Sequence, residues 1–327
     1  MTGLFLTFAV TSLTISSVII LTFLLSRLFG TRFTANCRFK VWTVIIICLC
    51  LPLGTMIIRP LFTVRMTSES IVRTAELSVP GSFETGLVND MPYSEQNNVI
   101  ESDRIIPKTE SNRTGAVFSP AAFIAVLSYI WFAGMIIYIS FFLIRYGYYV
   151  RKIKNTLLSP QKEYSNHYKL ICEKQSVTRA PLFQISSGIP VPVMYGFLHP
   201  SIVLPQMDLS TDVLECVLTH EIIHYKRKDV WLKMICVFAR ALHWFNPLVY
   251  LAAERCNSEM ELSCDEAALY CAKDNERILY GKSLLYIMKH CKCQSDRLAA
   301  QFCQKYSSVQ NRVINIFDRK KKKQVKS

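Results

Sequence analysis

Residues 210–227 read STDVLECVLTHEIIHYKR, and the rest of the chain can be read by what this stretch requires around it. Ser210 and Thr211 are cap-forming types, Asp212 and Glu215 follow in the first turn, and Val213, Val217, His220 and His224 recur at helical spacing. The pattern predicts a helix with both histidines on one face. Two imidazoles four residues apart can hold one Zn²⁺, and Glu221, beside the first of them, can take a proton from water activated there. The competing reading is a helix that merely carries two polar histidines. A metal needs a third protein ligand, and after the Asn246-Pro247 break the stretch PLVYLAAERCNSEMELSCDEAAL (247–269) reads as a helix with Glu261 and Asp265 on one face. Glu261 would complete a His₂Glu site for one zinc ion per chain, and Asp265 could accept the free ring N–H of a ligating histidine. Either carboxylate alone reads equally as part of a solvated acidic face, the role assigned to Glu254, Glu259 and Glu266.

Upstream, the chain changes character. It has 327 residues, 51% of them hydrophobic and 19% charged, which is too apolar for an average soluble enzyme and too charged for a pure membrane bundle. Residues 4–25 carry no charge and are long enough to cross a bilayer; 41–58 and 119–145 are two further apolar runs. Arg27, Arg32, Arg38 and Lys40 lie between the first two runs, and Arg145, Arg151, Lys152 and Lys154 follow the third. Positive-inside bias therefore predicts three spans, with the N-terminus outside, an extracellular loop at 59–118, and everything from 146 onward in the cytoplasm. The loop holds 6 basic and 8 acidic side chains, so the formal net charge of +14 resides elsewhere, where anionic lipid head groups account for it. No nucleic-acid-binding module accompanies that charge, and direct nucleic-acid binding is not expected. None of the 12 cysteines falls between 51 and 171, as suits reduced thiols in cytoplasm or lipid, and their spacing offers no metal-binding pattern.

Within the cytoplasmic part (146–318, followed by a basic tail at 319–327), 181–205 is rich in β-branched residues, Pro and Gly and predicts a small sheet ahead of the motif helix. Ile202–Leu204 could offer an edge to an extended peptide, with ordinary sheet pairing as the alternative. His243 could stabilise an oxyanion, although beside Trp244 and Phe245 a packed histidine is the plainer reading. Arg227 and Asp229 are expected to form structural pairs. The apolar stretch 230–253 is interrupted by Lys233, Arg240 and His243 and is expected to be a core or interfacial helix pair.

Taken together, GFLHPSIVLP, LTHEIIHYKRKD, LHWFNPLVYLA, MELSCDEAAL and YGKSLLYI, spread over about 190–286, resemble the BlaR/MecR-type membrane peptidases, sensor-transducers of β-lactam resistance in Gram-positive bacteria. The three preceding spans agree with that layout. The resemblance implies a multi-pass α-helical membrane protein with a mainly helical (α+β) gluzincin-type cytoplasmic metallopeptidase domain. It implies His220, His224 and Glu261 as zinc ligands, Glu221 as general base and Asp265 as their outer partner. It also implies a cytoplasmic DNA-binding repressor as the protein substrate, often with self-cleavage. The penicillin-binding sensor domain of such relatives is not expected here: the one S-x-x-K match, Ser159 to Lys162, lies on the cytoplasmic side without its partner motifs. An input through the external loop, a separate sensor protein or a homodimer takes its place. Two other readings compete: a non-proteolytic zinc-binding transducer, and a housekeeping membrane protease of HtpX type.

Overall fold

A helix in an apolar setting must satisfy its own polar side chains, and the first one does. In α1 (Thr2–Phe29) Thr7, Thr11 and Ser16 donate to the carbonyls of Gly3, Thr7 and Ser12 at 2.9, 2.8 and 2.6 Å. The computed structural model describes residues 2–29, 33–52, 120–290 and 306–317. The expected extracellular loop, the end of the second apolar run and the basic tail lie outside these residues.

Helix α2 (Ala35–Cys50) starts at Thr34, whose side chain accepts from Cys37 N, and α3 (Pro120–Asn155) runs unbroken from the third apolar run through the basic segment RYGYYVRKIKN. Of the helices described, α1 and α3 are long and apolar enough to cross a membrane by length and composition. Phe23 of α1 and Trp42 of α2 meet with ring centroids 4.8 Å apart, and Phe8 of α1 stacks on Trp131 of α3 at 5.8 Å.

After α3 come β1 (Leu157–Leu158), α4 (Lys162–Lys174), β2 (Leu182–Ser186), β3 (Val193–Tyr195) and β4 (Ser201–Pro205). They form a four-stranded sheet in the order β1-β2-β4-β3, with β4 parallel to β2 and antiparallel to β3. Every residue of β4 is buried. This corrects the expectation that Ile202–Leu204 could offer an edge: both sides of that strand are already hydrogen-bonded, and the edges belong to β1 and β3.

The motif helix α5 (Thr211–Arg227) lays Leu214, Leu218 and Ile222, one per turn, against Ile202 and Leu204 of the sheet and Tyr168 of α4. That fixes its rotation and leaves His220 and His224 on the opposite side. Ser210 occupies the cap position, without a side-chain bond to the helix. Lys228, at φ 57° and ψ 38°, ends α5 in the left-handed region and at once begins α6 (Asp229–Leu242). A single residue thus reverses the chain.

Helix α7 (Pro247–Ala268) returns alongside α6, with Asn246 capping it through Leu248 N. The pair packs on the first two helices: Cys236, Ala239 and Ala253 share one buried cluster with Trp42, Ile46 and Leu49. Two carboxylates assigned to a solvated face instead anchor α7 to α2. Glu259 is fully buried, paired with Arg38 at 2.9 Å and Arg255 at 2.7 Å, and Glu266 accepts from the Ala35 and Asn36 amides at 3.1 and 3.3 Å. The expectation fails because α2, far away in sequence, brings cations and a helix N-terminus to that face. Finally, α8 (Asp274–His290) and α9 (Tyr306–Phe317) close over the end of α7, where Tyr280 and Ile316 cluster with Leu269.

Candidate metal centre

Helices α5 and α7 bring their donors to one point. The Nε2 atoms of His220 and His224 are 3.0 Å apart, and Glu261 Oε2 lies 3.3 Å from the first and 3.5 Å from the second. Donors bound to one zinc at about 2.0–2.1 Å in tetrahedral array stand about 3.3 Å from each other. The residues therefore fit the ion, with three donors from three buried side chains already at ligand spacing.

The remaining ring nitrogens are held. His224 Nδ1 donates to Asp229 Oδ2 at 2.6 Å, and His220 Nδ1 meets the Tyr280 hydroxyl at 2.9 Å. The Tyr280 hydroxyl donates in turn to Asp265 Oδ1 at 2.7 Å, so its oxygen accepts from His220 Nδ1–H. With a metal bound, these partners would keep both rings with Nδ1 protonated and the Nε2 lone pair facing the cluster, the tautomer a metal needs. Asp265 stands as the acceptor at the end of this chain, with Tyr280 between it and the ring; its direct separation from His220 Nδ1 is 3.4 Å. Asp229 follows from the left-handed turn at Lys228, which folds the start of α6 back against the last turn of α5. Its other oxygen lies 3.4 Å from Arg227 Nε.

Arg312, from α9, has no counterpart among the sequence expectations. Its Nε and Nη2 grip the two oxygens of Asp265 at 2.7 Å each, Nη2 is 3.4 Å from His220 Nε2, and Nη1 is 3.5 Å from Glu261 Oε2. Both partners are nearly inaccessible, 5% for Arg312 and 1% for Asp265. Burial alone would push the Asp265 carboxyl up, but the Arg312 guanidinium and the hydrogen bonds outweigh it and hold it at about 2. The same contest leaves Glu261 well below the usual carboxylate range, with the neighbouring histidines and Arg312 prevailing over burial. Cys264, one turn beyond Glu261, donates its thiol to the His220 carbonyl at 3.5 Å, and its sulfur lies within 4.8 Å of the donor atoms of both histidines. It is a further metal-capable group, at the floor of the cluster, that residue spacing does not single out.

Glu221 is half-buried beside His220, with no hydrogen bond or ion pair to any described residue. His243 is not brought to the cluster. It follows the last residue of α6, about 20 Å along that helix from Asp229, where its Nε2 donates to the Leu49 carbonyl at 3.0 Å and its ring packs on Phe8. This corrects the oxyanion role: the plainer reading, a packed and hydrogen-bonded histidine, describes its surroundings.

The described residues form a mainly helical protein with a metal-capable cluster joined to long apolar helices. The family model for BlaR1 peptidase M56 matches residues 6–316, and the chain belongs to that family. Among curated relatives, Regulatory protein BlaR1 of Bacillus licheniformis is 32% identical over 147 residues, covering 44% of this chain and 24% of that protein. The methicillin resistance mecR1 proteins of Staphylococcus aureus and Staphylococcus epidermidis are each 26% identical over 197 residues, covering 58% of this chain and 33% of theirs. The chain thus matches only a quarter to a third of the length of these relatives.

Proposed function

We propose that this chain is a membrane zinc endopeptidase of a signal-transduction system, cutting a cytoplasmic protein of the DNA-binding repressor class and able to cut itself. The observation that carries this reading is the three-donor cluster at 3.0–3.5 Å with both histidine rings held from behind. The relatives, a regulatory protein and methicillin resistance proteins by name, support the signalling context. Helices α1, α2 and α3 cross the membrane with the basic connections inside, so that the peptidase part faces the cytoplasm in a Gram-positive cell.

His220, His224 and Glu261 would hold the zinc, which supplies an activated water and polarises the scissile carbonyl. Glu221 lies one residue from a ligand with its carboxylate uncommitted, placed to accept the proton of the attacking water and to pass it to the leaving amine. Asp229, Tyr280 and Asp265 keep the two rings from turning. Arg312 offsets the negative charge of Asp265 and Glu261, so that the cluster's carboxylates stay ionised while buried.

The test is metal content and proteolysis of the wild-type protein beside Glu221→Gln, in detergent or nanodiscs, with a co-encoded repressor as substrate. Both proteins are expected to hold about one zinc, and only the wild type to cut the repressor or itself. Zinc absent from the wild type refutes the reading; zinc in both with equal cleavage refutes the role of Glu221.

A further inference from the structure

The helix pair α6–α7 belongs to the peptidase part by sequence, yet it is packed along the membrane helices from end to end. At its base, Glu259 and Glu266 hold the start of α2. At its tip, Asn246 Nδ2 donates to Ser12 and Ser16 of α1 at 2.8 Å each, and His243 donates to the carbonyl of Leu49 near the end of α2. The Trp131 indole of α3 donates to the Leu242 carbonyl at 2.8 Å, the Trp244 indole to the Trp131 carbonyl at 3.2 Å, and the Tyr250 hydroxyl to the Trp244 carbonyl at 3.1 Å. Gly134 of α3 leaves room for the Trp244 indole where any Cβ would collide with it. A helix reversal normally turns to water for its open polar groups. Here the protein itself supplies partners for most of them, the buried Nδ1 of His243 and Nε of Arg240 excepted, and such internal pairing is the condition under which non-helical backbone is tolerated at membrane depth.

The outward side of the pair is mainly apolar, interrupted by the exposed Lys233 of α6 and Glu254 of α7. Trp231, Phe238, Phe245 and Leu251 are 44–50% exposed, and several leucines of α1 are exposed too. Two of the charges sit where a bilayer accommodates them. Lys233 is in the first turns of α6, within snorkelling reach of the head groups, and Arg240 near the tip lies 5.8 Å from the Tyr250 ring, with Tyr138 alongside. In length, α6 rises about 21 Å, less than the roughly 30 Å of hydrocarbon. Ser12 and Phe8, which meet the tip, lie roughly 10–15 Å short of the outer end of α1.

Resting on the membrane reading above, we propose that α6–α7 is a re-entrant hairpin of the peptidase part. It is inserted from the cytoplasmic side among α1, α2 and α3, its outward face touches lipid acyl chains, and its tip ends inside the bilayer. The zinc donors at the base of the hairpin then lie at head-group level, and a protein substrate is cut at the membrane surface.

The test is depth-dependent fluorescence quenching in vesicles of phosphatidylcholine brominated at defined acyl positions. One tryptophan is added at a time, by Phe238→Trp, Phe245→Trp, Ile137→Trp on the exposed face of α3, and Tyr270→Trp on the peptidase surface, each read as the increment over wild type. All four sites are at least 44% exposed, so the substitutions need no repacking, and elution matched to wild type checks the fold. The increments at 238, 245 and 137 are expected to lose most of their fluorescence, with position 245 most sensitive to bromines deep in the chains, while that at 270 is unaffected. Quenching at 137 but not at 238 and 245 overturns the hairpin and leaves the spans standing. No quenching at 137 overturns the membrane reading itself. Quenching at 245 by shallow bromines alone places the tip at a membrane face and overturns re-entry.

Discussion

Replacing Arg312 by methionine tests how much the docking of α9 owes to the buried cation that Arg312 brings to Asp265 and Glu261. The guanidinium makes two bonds of 2.7 Å to Asp265, and the side chains are 5% and 1% accessible, so water cannot substitute for the lost partner. Breaking a buried pair by removing one member costs about 3–5 kcal/mol. The lower end applies, because Asp265 keeps the Tyr280 hydroxyl and, without Arg312, burial lets its carboxyl take up a proton. At about 2–4 °C per kcal/mol for a domain of this size, a loss of about 3 kcal/mol is a fall of roughly 6–12 °C in Tm. The assay is thermal unfolding of the metal-free protein in detergent, followed by intrinsic fluorescence. Pairing Arg312→Met with Asp265→Leu is expected to recover at least half of the loss, since an apolar pair leaves no uncompensated charge. A single variant that melts within about 2 °C of wild type refutes the reasoning, because that corresponds to about 1 kcal/mol or less, well below the cost of stranding a buried charge.

Asp229→Asn keeps an acceptor near His224 Nδ1 but removes its charge, and the zinc Kd is expected to rise about 10-fold in a competition titration against a chromophoric chelator; an unchanged Kd contradicts the tautomer lock. Tyr280→Phe breaks the relay between His220 and Asp265 and should weaken zinc by a similar factor, with no change as the refuting result. Glu259→Gln leaves Arg38 and Arg255 facing a neutral group in a site with no accessibility, which is expected to cost about 2–3 kcal/mol in thermal unfolding. Asp265 also sets an acid limit on the metal-free protein. Its folded-state pKa of about 2 is below the unfolded value of about 3.9, so its contribution is complete above that value and lost as pH falls through 2. That contribution is about 2–3 kcal/mol. Asp265→Asn should lack this acid-labile part when Tm is followed between about pH 5 and 2; a parallel pH profile for both proteins would count against it.

The local part of this protein was legible because helical periodicity is local. His220 and His224 had to share a face once 211–227 was a helix, Glu261 and Asp265 had to share one on the next long helix, and the uncharged runs had to seek an apolar setting. Spacing along one helix says nothing about what another brings to it. So Glu259 and Glu266 read as a solvated face until α2 supplied Arg38 and two free amides, and Ile202–Leu204 could have been an edge until β2 and β3 paired on both sides. Tyr280 and Arg312 enter the metal centre from helices whose sequences carry no metal motif, the second of them 92 residues from the histidine it approaches. His243, adjacent to aromatic residues that suit an active site or a core equally, was assigned by the far end of α6. The sequence by itself determined the donor types and the helix faces that carry them. Only tertiary packing decided which buried charges meet, because a buried ion is tolerated solely where a distant segment delivers its counter-charge.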